Sequence, residues 1–219
     1  MTERENILAR VREALQSPAP ARHENPAHTE TPRHWLPKVG ESFAERLALF
    51  QANAAELKAD FQLLADHTEL NSCIRALQKT EGWKRIASHR GELAEIACQA
   101  AGLPVLHTDP GYPVNELEAC DAAITECDAL IAQTGSVLVT SRSAGGRALS
   151  VLPPHHVVVT RRDRLLPDLP AAFELLKQKY APDYPGFISL ITGPSRTGDI
   201  ERILVLGAHG PKKLTILCL

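Results

Sequence analysis

Two short polar segments each follow an apolar run that predicts a buried strand. The first is QTGS, residues 133–136 after ALIA, and the second is TGPSRT, residues 192–197 after FISLI. In open α/β sheets, ligands bind beyond the carboxyl ends of the strands, so both segments are candidates for a ligand site. In the first segment Gly135 allows close backbone approach and Ser136 offers a hydroxyl. We therefore assign Thr134, Gly135 and Ser136 to the candidate site.

The second segment adds a positive charge to the same kind of turn. Gly193 again permits close approach, Ser195 and Thr197 offer hydroxyls, and Arg196 offers a guanidinium whose paired donors suit a carboxylate or a phosphate. If Ser195 caps a following turn, free amide groups strengthen the anion site. A plainer interpretation stays open, in which both segments are ordinary strand-end turns and Arg196 pairs with an acid of residues 199–201.

Three histidines lie in positions that bear on catalysis. His209, in the glycine-rich stretch GAHGP, is a candidate acid or base, with a backbone-bonded loop histidine as the alternative. His155 and His156 are adjacent, and at the start of a strand they would point to opposite faces and could not share one site. The phosphate-binding patterns of Rossmann and P-loop proteins are absent from the sequence.

The overall composition is that of an average globular protein and excludes several function classes. The chain has 219 residues, a net charge of −2 and 5% aromatic residues, which argues against nucleic-acid binding. No apolar run reaches the length of a membrane helix, and the charged N-terminus does not resemble a signal peptide, so we expect a cytoplasmic protein. Five cysteines without a C-x-x-C pair predict buried, reduced thiols and no metal or cofactor in this chain.

The chain divides by composition into three parts. Residues 1–16 read as an amphipathic helix, with Thr2 and Glu5 as a capping box and an apolar stripe at helical spacing. Residues 17–38 contain five prolines and predict a linker. Residues 39–219 predict a single α/β domain. Because the first helix has an apolar stripe and a proline-rich connection, we expect it to dock on a partner or on a second copy.

The order of elements predicts an α/β fold with an open mixed sheet flanked by helices. Helices are predicted at 42–59, 70–79, 92–101, 116–125 and 169–179, and strands at 60–65, 84–88, 104–108, 129–134, 136–141, 147–152, 156–160, 187–192 and 214–219. Strands that alternate with helices indicate parallel βαβ units in the first half. The short connections around GG at 145–146 indicate an antiparallel portion in the second half.

Two blocks of the sequence resemble the lactate-utilisation protein C family, whose fold is similar to that of CoA transferases and ribose-phosphate isomerases. They are QTGSVLVTSRSAGGRALSVLPPHHVVV and ITGPSRTGDIERILVLGAHGPKKLTILCL, about a quarter of the chain. The resemblance implies a non-iron–sulfur component of a system that oxidises L-lactate to pyruvate, with iron–sulfur clusters held only by partner proteins. Many relatives have Glu where this chain has Gln133, which argues against a covalent carboxylate mechanism at that position.

Three functions remain open at this stage. The chain is a subunit of the lactate-oxidising system, or an enzyme acting alone on a phosphorylated or carboxylated metabolite, or a regulatory module that binds such a metabolite. All three share a small anionic ligand. Co-purification with proteins that carry iron–sulfur clusters would support the first function. Turnover by the isolated chain would support the second, and saturable binding without turnover would support the third.

Overall fold

The structure is a computed structural model that describes residues 2–16, 38–197, 205–207 and 209–219. The chain divides into two compact units between Leu36 and Pro37. The first contains helix α1 (Glu3–Gln16), and the predicted capping box is present at its start. The predicted linker, apart from Lys38, lies outside the described residues. None of the helices in the described ranges is long and apolar enough to cross a membrane.

The second unit contains an ordered alternation of strands and helices. Its described helices are α2 (Phe43–Glu56), α3 (His67–Glu81), α4 (Glu92–Ala101), α5 (Val114–Glu118) and α6 (Leu169–Tyr180). Its described strands are β1 (Asp60–Leu63), β2 (Ile86–Ser88), β3 (Val105–His107), β4 (Ala122–Thr125), β5 (Ala129–Ile131), β6 (Ser136–Thr140), β7 (His155–Thr160), β8 (Leu165–Leu166), β9 (Ile188–Ile191), β10 (Arg196–Thr197), β11 (Val205–Leu206) and β12 (Lys213–Cys218).

Six strands form a fully parallel sheet in the order β1-β12-β7-β4-β2-β3. From β2 the chain crosses outward through α4 to β3, whereas from β4 it proceeds in the opposite direction to β7. The strand order therefore reverses between β2 and β4, and this is the switch point of the sheet. The α/β fold class predicted from the sequence is confirmed.

The antiparallel portion forms a sheet of its own. Its order is β8-β5-β6-β9, with β6 antiparallel to both β5 and β9. One apolar cluster packs α3 and α4 on the parallel sheet, and a second joins α2 to residues of both sheets. Helix α6 covers the other face of the four-stranded sheet. The result is a layered arrangement in which α2 contacts both sheets.

Local capping residues set the boundaries of the helices. Ser42 and Glu45 form a reciprocal capping box at the start of α2. Gly102 ends α4 in the left-handed conformation, as expected for a glycine that terminates a helix. All five cysteines are free thiols, and four of them are buried, with Cys73 half-buried.

Two predicted elements are wrong. Residues 116–125 were expected to be one helix, but α5 ends at Glu118 and Ala122–Thr125 is the fully buried strand β4. The alanines favour a helix locally, and burial between β2 and β7 overrides that preference. Residues 147–152 were expected to be a strand, but they form turns, with Leu149 packed in a small apolar cluster.

Candidate functional site

The first predicted segment is a hairpin turn and not a loop at the edge of the parallel sheet. Strands β5 and β6 pair antiparallel, with Ile131 opposite Ser136, so residues 132–135 form a tight turn between them. The expectation that Thr134, Gly135 and Ser136 follow an apolar strand is met. Their strand, however, belongs to the four-stranded sheet, so they do not lie at the carboxyl edge of the parallel one.

Helix α2 packs directly against this turn. The Asn53 side-chain amide donates to the carbonyl oxygens of Ala132 (2.8 Å) and Gln133 (3.1 Å). Gly135 has φ +64°, and a Cβ at that position would lie 2.8 Å from Asn53 Cβ and 3.0 Å from the Ala54 nitrogen. Gly135 is therefore required both by its left-handed backbone and by close packing against the helix.

The second segment joins the turn through a pair of hydroxyls. Ser136 is 2% exposed, and its Oγ lies 2.8 Å from Thr192 Oγ1. Gly193 has φ +86°, and a Cβ there would lie 2.7 Å from the Leu57 carbonyl oxygen, just beyond the end of α2. The two Thr-Gly pairs thus lie side by side on the C-terminal part of α2. Thr134 Oγ1 is buried and has no hydrogen-bond partner among the described residues.

The rest of the second segment is held by a different part of the chain. The Ser195 amide donates to the Pro211 carbonyl (2.9 Å), and the Gly207 amide donates to the Ser195 carbonyl (2.9 Å). Arg196 pairs with Leu206 in the short β10–β11 ladder. This anchoring fixes the backbone of the segment without using the Arg196 guanidinium.

The polar groups at this end of the segment face solvent. Arg196 and His209 are both exposed, and Gly210, next to His209, lies against Ser195, since a Cβ on the glycine would be 3.1 Å from Ser195 Cβ. Thr197 pairs with Val205 in the same ladder. The acids considered as alternative partners of Arg196, Asp199 and Glu201, lie outside the described residues. Contacts thus join Ser136 of the first turn to Thr192, next to Gly193, and Ser195 to Gly210, next to His209.

Sequence reasoning missed the polar group at the true switch point. There the Glu126 amide donates to His89 Nε2 (3.0 Å), and the Glu126 carboxylate accepts hydrogen bonds from the first amides of α4, those of Leu93 (2.8 Å) and Ala94 (3.3 Å). Burial lowers the pKa of His89. A Cβ on Gly145 would lie 2.1 Å from His89 Cβ, so the turn that contains Gly145 covers this edge. In the sequence, the only indication of this covered edge was the glycine pair Gly145–Gly146.

A second missed group is a buried carboxylate at the start of β5. Asp128 is fully buried, and its Oδ1 accepts from Lys179 Nζ (2.6 Å) and Tyr180 OH (2.7 Å). Burial raises the pKa of Asp128, but hydrogen bonds from Lys179, Ser143 and Tyr180 outweigh it and leave the pKa below its usual value. Asp128 Oδ2 has no partner among the described residues. Lys179 and Tyr180 are about fifty positions away in the chain, so no local pattern indicated them.

Comparison with known proteins shows similarity over about half of this chain. The family model of the LUD domain matches residues 114–219. Lactate utilization protein C of Deinococcus radiodurans is 32% identical over 117 residues, which are 53% of this chain and 54% of the relative. Lactate utilization protein C of Halalkalibacterium halodurans is 35% identical over 107 residues, 48% of this chain and 46% of the relative. The chain spans about half the length of these relatives.

A solved structure supports the fold independently. The crystal structure of a DUF162 family protein from Deinococcus radiodurans matches with a TM-score of 0.64 at 22% identity, and covers 82% of this chain and 99% of that one. The matched family segment contains β4 to β12 and every residue of the candidate site. Residues 114–219 of this chain therefore match the LUD domain family model, in agreement with the resemblance of the two sequence blocks.

Proposed function

We propose that this chain is a non-iron–sulfur component of an L-lactate-oxidising utilisation system and that it binds a small anion at Ser195 and Arg196. The observation that carries the proposal is the match of about half of this chain to relatives named lactate utilization protein C. Oxidation of lactate to pyruvate releases two electrons and two protons. In this proposal the iron–sulfur partner proteins accept the electrons, and this chain contributes assembly and anion binding.

The geometry of the second segment supports an anion site. The backbone of Ser195 is fixed by two hydrogen bonds, and the exposed Arg196 follows it directly. A guanidinium presents paired donors that match the two oxygens of a carboxylate or a phosphate. His209 is next to Gly210, which lies against Ser195, and is the candidate to give or take a proton. At the start of the same segment, the Thr192 hydroxyl contacts Ser136 of the first turn.

The anion site is tested by calorimetry with L-lactate, pyruvate and inorganic phosphate. We expect Arg196→Ala to weaken binding of at least one of them by about 10- to 100-fold, which corresponds to one charge-assisted bidentate contact. Arg196→Lys should recover part of the affinity, and Arg75→Ala, which removes an exposed arginine of α3, should change nothing. Unchanged binding in Arg196→Ala would assign this arginine to the scaffold and refute the site.

Assembly is tested separately, in cells grown on L-lactate. We expect the tagged chain to co-purify with proteins that show the visible absorbance of iron–sulfur clusters. The apolar side chains of α1 at Ile7, Leu8, Val11 and Leu15 are all exposed, which suits a docking helix. Deleting residues 1–38 should therefore reduce co-purification while changing the melting temperature little. If no protein with an iron–sulfur cluster co-purifies with the chain, the proposed role is contradicted.

A further inference from the structure

We propose a second anion-binding site, in a groove at the amino ends of β1, β7 and β12, where Lys58 and Lys212 hold a small carboxylate or phosphate against His155. The groove has a volume of about 250 Å³. Its lining residues are Lys58, Asp60, Leu77, Glu81, His155, Lys212, Lys213, Leu214 and Thr215. It lies at the opposite edge of the parallel sheet from the switch point.

His155 supplies an unsatisfied polar atom at this groove. The side chain is buried at 4% exposure, its Nε2 lies 2.9 Å from Thr215 Oγ1, and its Nδ1 has no hydrogen-bond partner among the described residues. The ring packs edge-on against Trp83, with centroids 5.2 Å apart. Buried polar atoms are rarely left without a partner, so the free Nδ1 points to a group that joins it. When Thr215 donates to Nε2, Nδ1 carries the proton and can donate to an anion.

Lys58 occupies a backbone position that normally selects glycine. Its φ is +65°, the only positive φ of a non-glycine residue in the described part of the chain. The Lys58 amide donates to the Ala55 carbonyl (3.0 Å) and the Ala59 amide to the Ala54 carbonyl (2.9 Å), which is the Schellman arrangement at the end of α2. Glycine would adopt this conformation without strain. We therefore attribute the presence of lysine to its side chain, which lines the groove.

Lys212 is positioned from two sides. Its amide donates to the Pro154 carbonyl (2.8 Å), immediately before β7. Gly207 packs against its aliphatic chain, because a Cβ there would lie 2.2 Å from Lys212 Cγ. This second contact requires that position 207 lack a side chain. The backbone of Lys212 is thus fixed next to the groove, and its side chain starts beside Gly207, on the same segment that anchors Ser195 through Pro211.

The groove has more positively charged side chains than negatively charged ones to pair with them. Lys213 Nζ lies 2.7 and 2.5 Å from the two carboxylate oxygens of Glu81, so these two charges cancel. Lys58 and Lys212 form no ion pair with any residue that the structure describes. Asp60 is the one remaining acid of the lining, and it accepts a hydrogen bond from Gln62 (3.2 Å). Two free ammonium groups against one carboxylate favour an anion.

The ligand class follows from these groups. Two ammonium groups on flexible stems bind a carboxylate or a phosphate, and the buried Nδ1 supplies one directed hydrogen bond. The groove is large enough for a small metabolite but is too small for a nucleotide and too confined for a polymer. The inference is separate from the Arg196 site, since it rests on different residues, and either can fail alone.

Trp83 provides a direct test. The chain has two tryptophans, and Trp35→Phe leaves Trp83, which contacts His155, as the only one. In this background, inorganic phosphate, L-lactate and pyruvate are titrated against Trp83 fluorescence, with sodium chloride at matched ionic strength. We expect a saturable change with at least one of the three anions and none with chloride. The absence of any saturable change would overturn the proposal.

Variants then identify the binding residues. Lys212→Gln and Lys58→Asn, the latter chosen because asparagine tolerates positive φ, should each weaken binding by about tenfold or more. Lys177→Gln, an exposed lysine of α6, is the matched control and should bind like the parent, as should Arg196→Ala. If Lys177→Gln weakens binding as much as Lys212→Gln, or if only Arg196→Ala abolishes the response, the groove is not the site.

Imidazole NMR provides a readout that does not depend on any lysine variant folding. The His155 Nδ1 resonance, assigned by comparison with His155→Gln, should shift when the active anion is added to the otherwise unmodified chain. A shift confined to other histidines would contradict the assignment of Nδ1 as a ligand contact.

Discussion

The two halves of the candidate site use similar residues in opposite environments. In the Thr134–Ser136 turn the hydroxyls are buried and the glycine is pressed against α2, whereas Ser195 is half-buried and Arg196 is exposed. Small polar residues in the first half satisfy packing and hydrogen bonding within the protein. In the second half the side chains are available to a ligand. Threonine, glycine and serine in a turn therefore do not indicate by themselves which of these two roles they have.

The largest expected effect tests the packing of the first half. Gly135→Ala places a Cβ 2.8 Å from Asn53 Cβ at φ +64°, so we expect a loss of about 3 kcal/mol in the free energy of unfolding. Gly82→Ala is the control for the backbone alone, since it has φ +68° and open space, and should cost about 1 kcal/mol.

Gly210→Ala probes the second half in the same way. Its Cβ would lie 3.1 Å from Ser195 Cβ, and a partly exposed serine can shift, so the cost should stay below about 1 kcal/mol. Urea denaturation of the three variants measures all three costs. Equal losses for Gly135→Ala and Gly210→Ala would remove the distinction between the two halves.

The next effect concerns two buried histidines of the parallel sheet, His155 and His156, which should make the free energy of unfolding depend on pH. Burial lowers the pKa of His155 to about 4 and that of His156 to about 3. In the unfolded chain histidine titrates near pH 6.5. As the pH falls below about 6.5, the unfolded chain takes up protons that the folded chain does not, so the free energy of unfolding decreases.

Two such histidines predict a decrease of about 2 kcal/mol between pH 6 and pH 5. Urea denaturation across this range measures it, and His156→Gln should reduce the slope by roughly half, since it removes one of the two groups. A free energy of unfolding that stays constant over this range would show that these rings are accessible to protons in the folded state.

The sequence predicted the fold more completely than the site. Apolar periodicity located α2, α4 and α6 and most of the strands, because this signal is local. Strand β4 was missed, since Ala122–Thr125 consists of small residues whose conformation is decided by burial between two neighbouring strands. The turns at 147–152 were missed because their apolar residues pack in a cluster without pairing in a sheet.

For the site, the sequence located both turns but did not indicate the packing of one of them. A Cβ on Gly135 would meet Asn53 and Ala54 of α2, and no sequence pattern predicted that contact. The groups that no local pattern indicated, such as Glu126 on His89 and Lys179 on Asp128, join residues 37 and 51 positions apart. Contacts at such separations depend on the topology, which the sequence alone did not provide.

A smaller effect tests how α2 holds the hairpin turn. Asn53→Ala leaves the carbonyls of Ala132 and Gln133 without the amide that donates to both, so we expect a loss of about 1–2 kcal/mol. Gln51→Ala, an exposed change on the same helix, should stay within about 0.5 kcal/mol of the parent. Anion binding at Arg196 should survive Asn53→Ala in the folded protein, and its loss would couple the two halves.

The smallest effect separates the two serines. Ser136→Ala removes the buried hydroxyl that contacts Thr192 and should cost about 1 kcal/mol, whereas Ser195→Ala should stay within about 0.5 kcal/mol. Thr192→Val keeps the shape of the side chain, so a double-mutant cycle with Ser136→Ala isolates the contact between the hydroxyls, with an expected coupling of about 0.5–1 kcal/mol. Ser195→Ala should instead weaken anion binding while Ser136→Ala leaves it unchanged. If the coupling is zero and Ser136→Ala weakens anion binding in the folded protein, Ser136 belongs to the ligand site and the two halves form one surface.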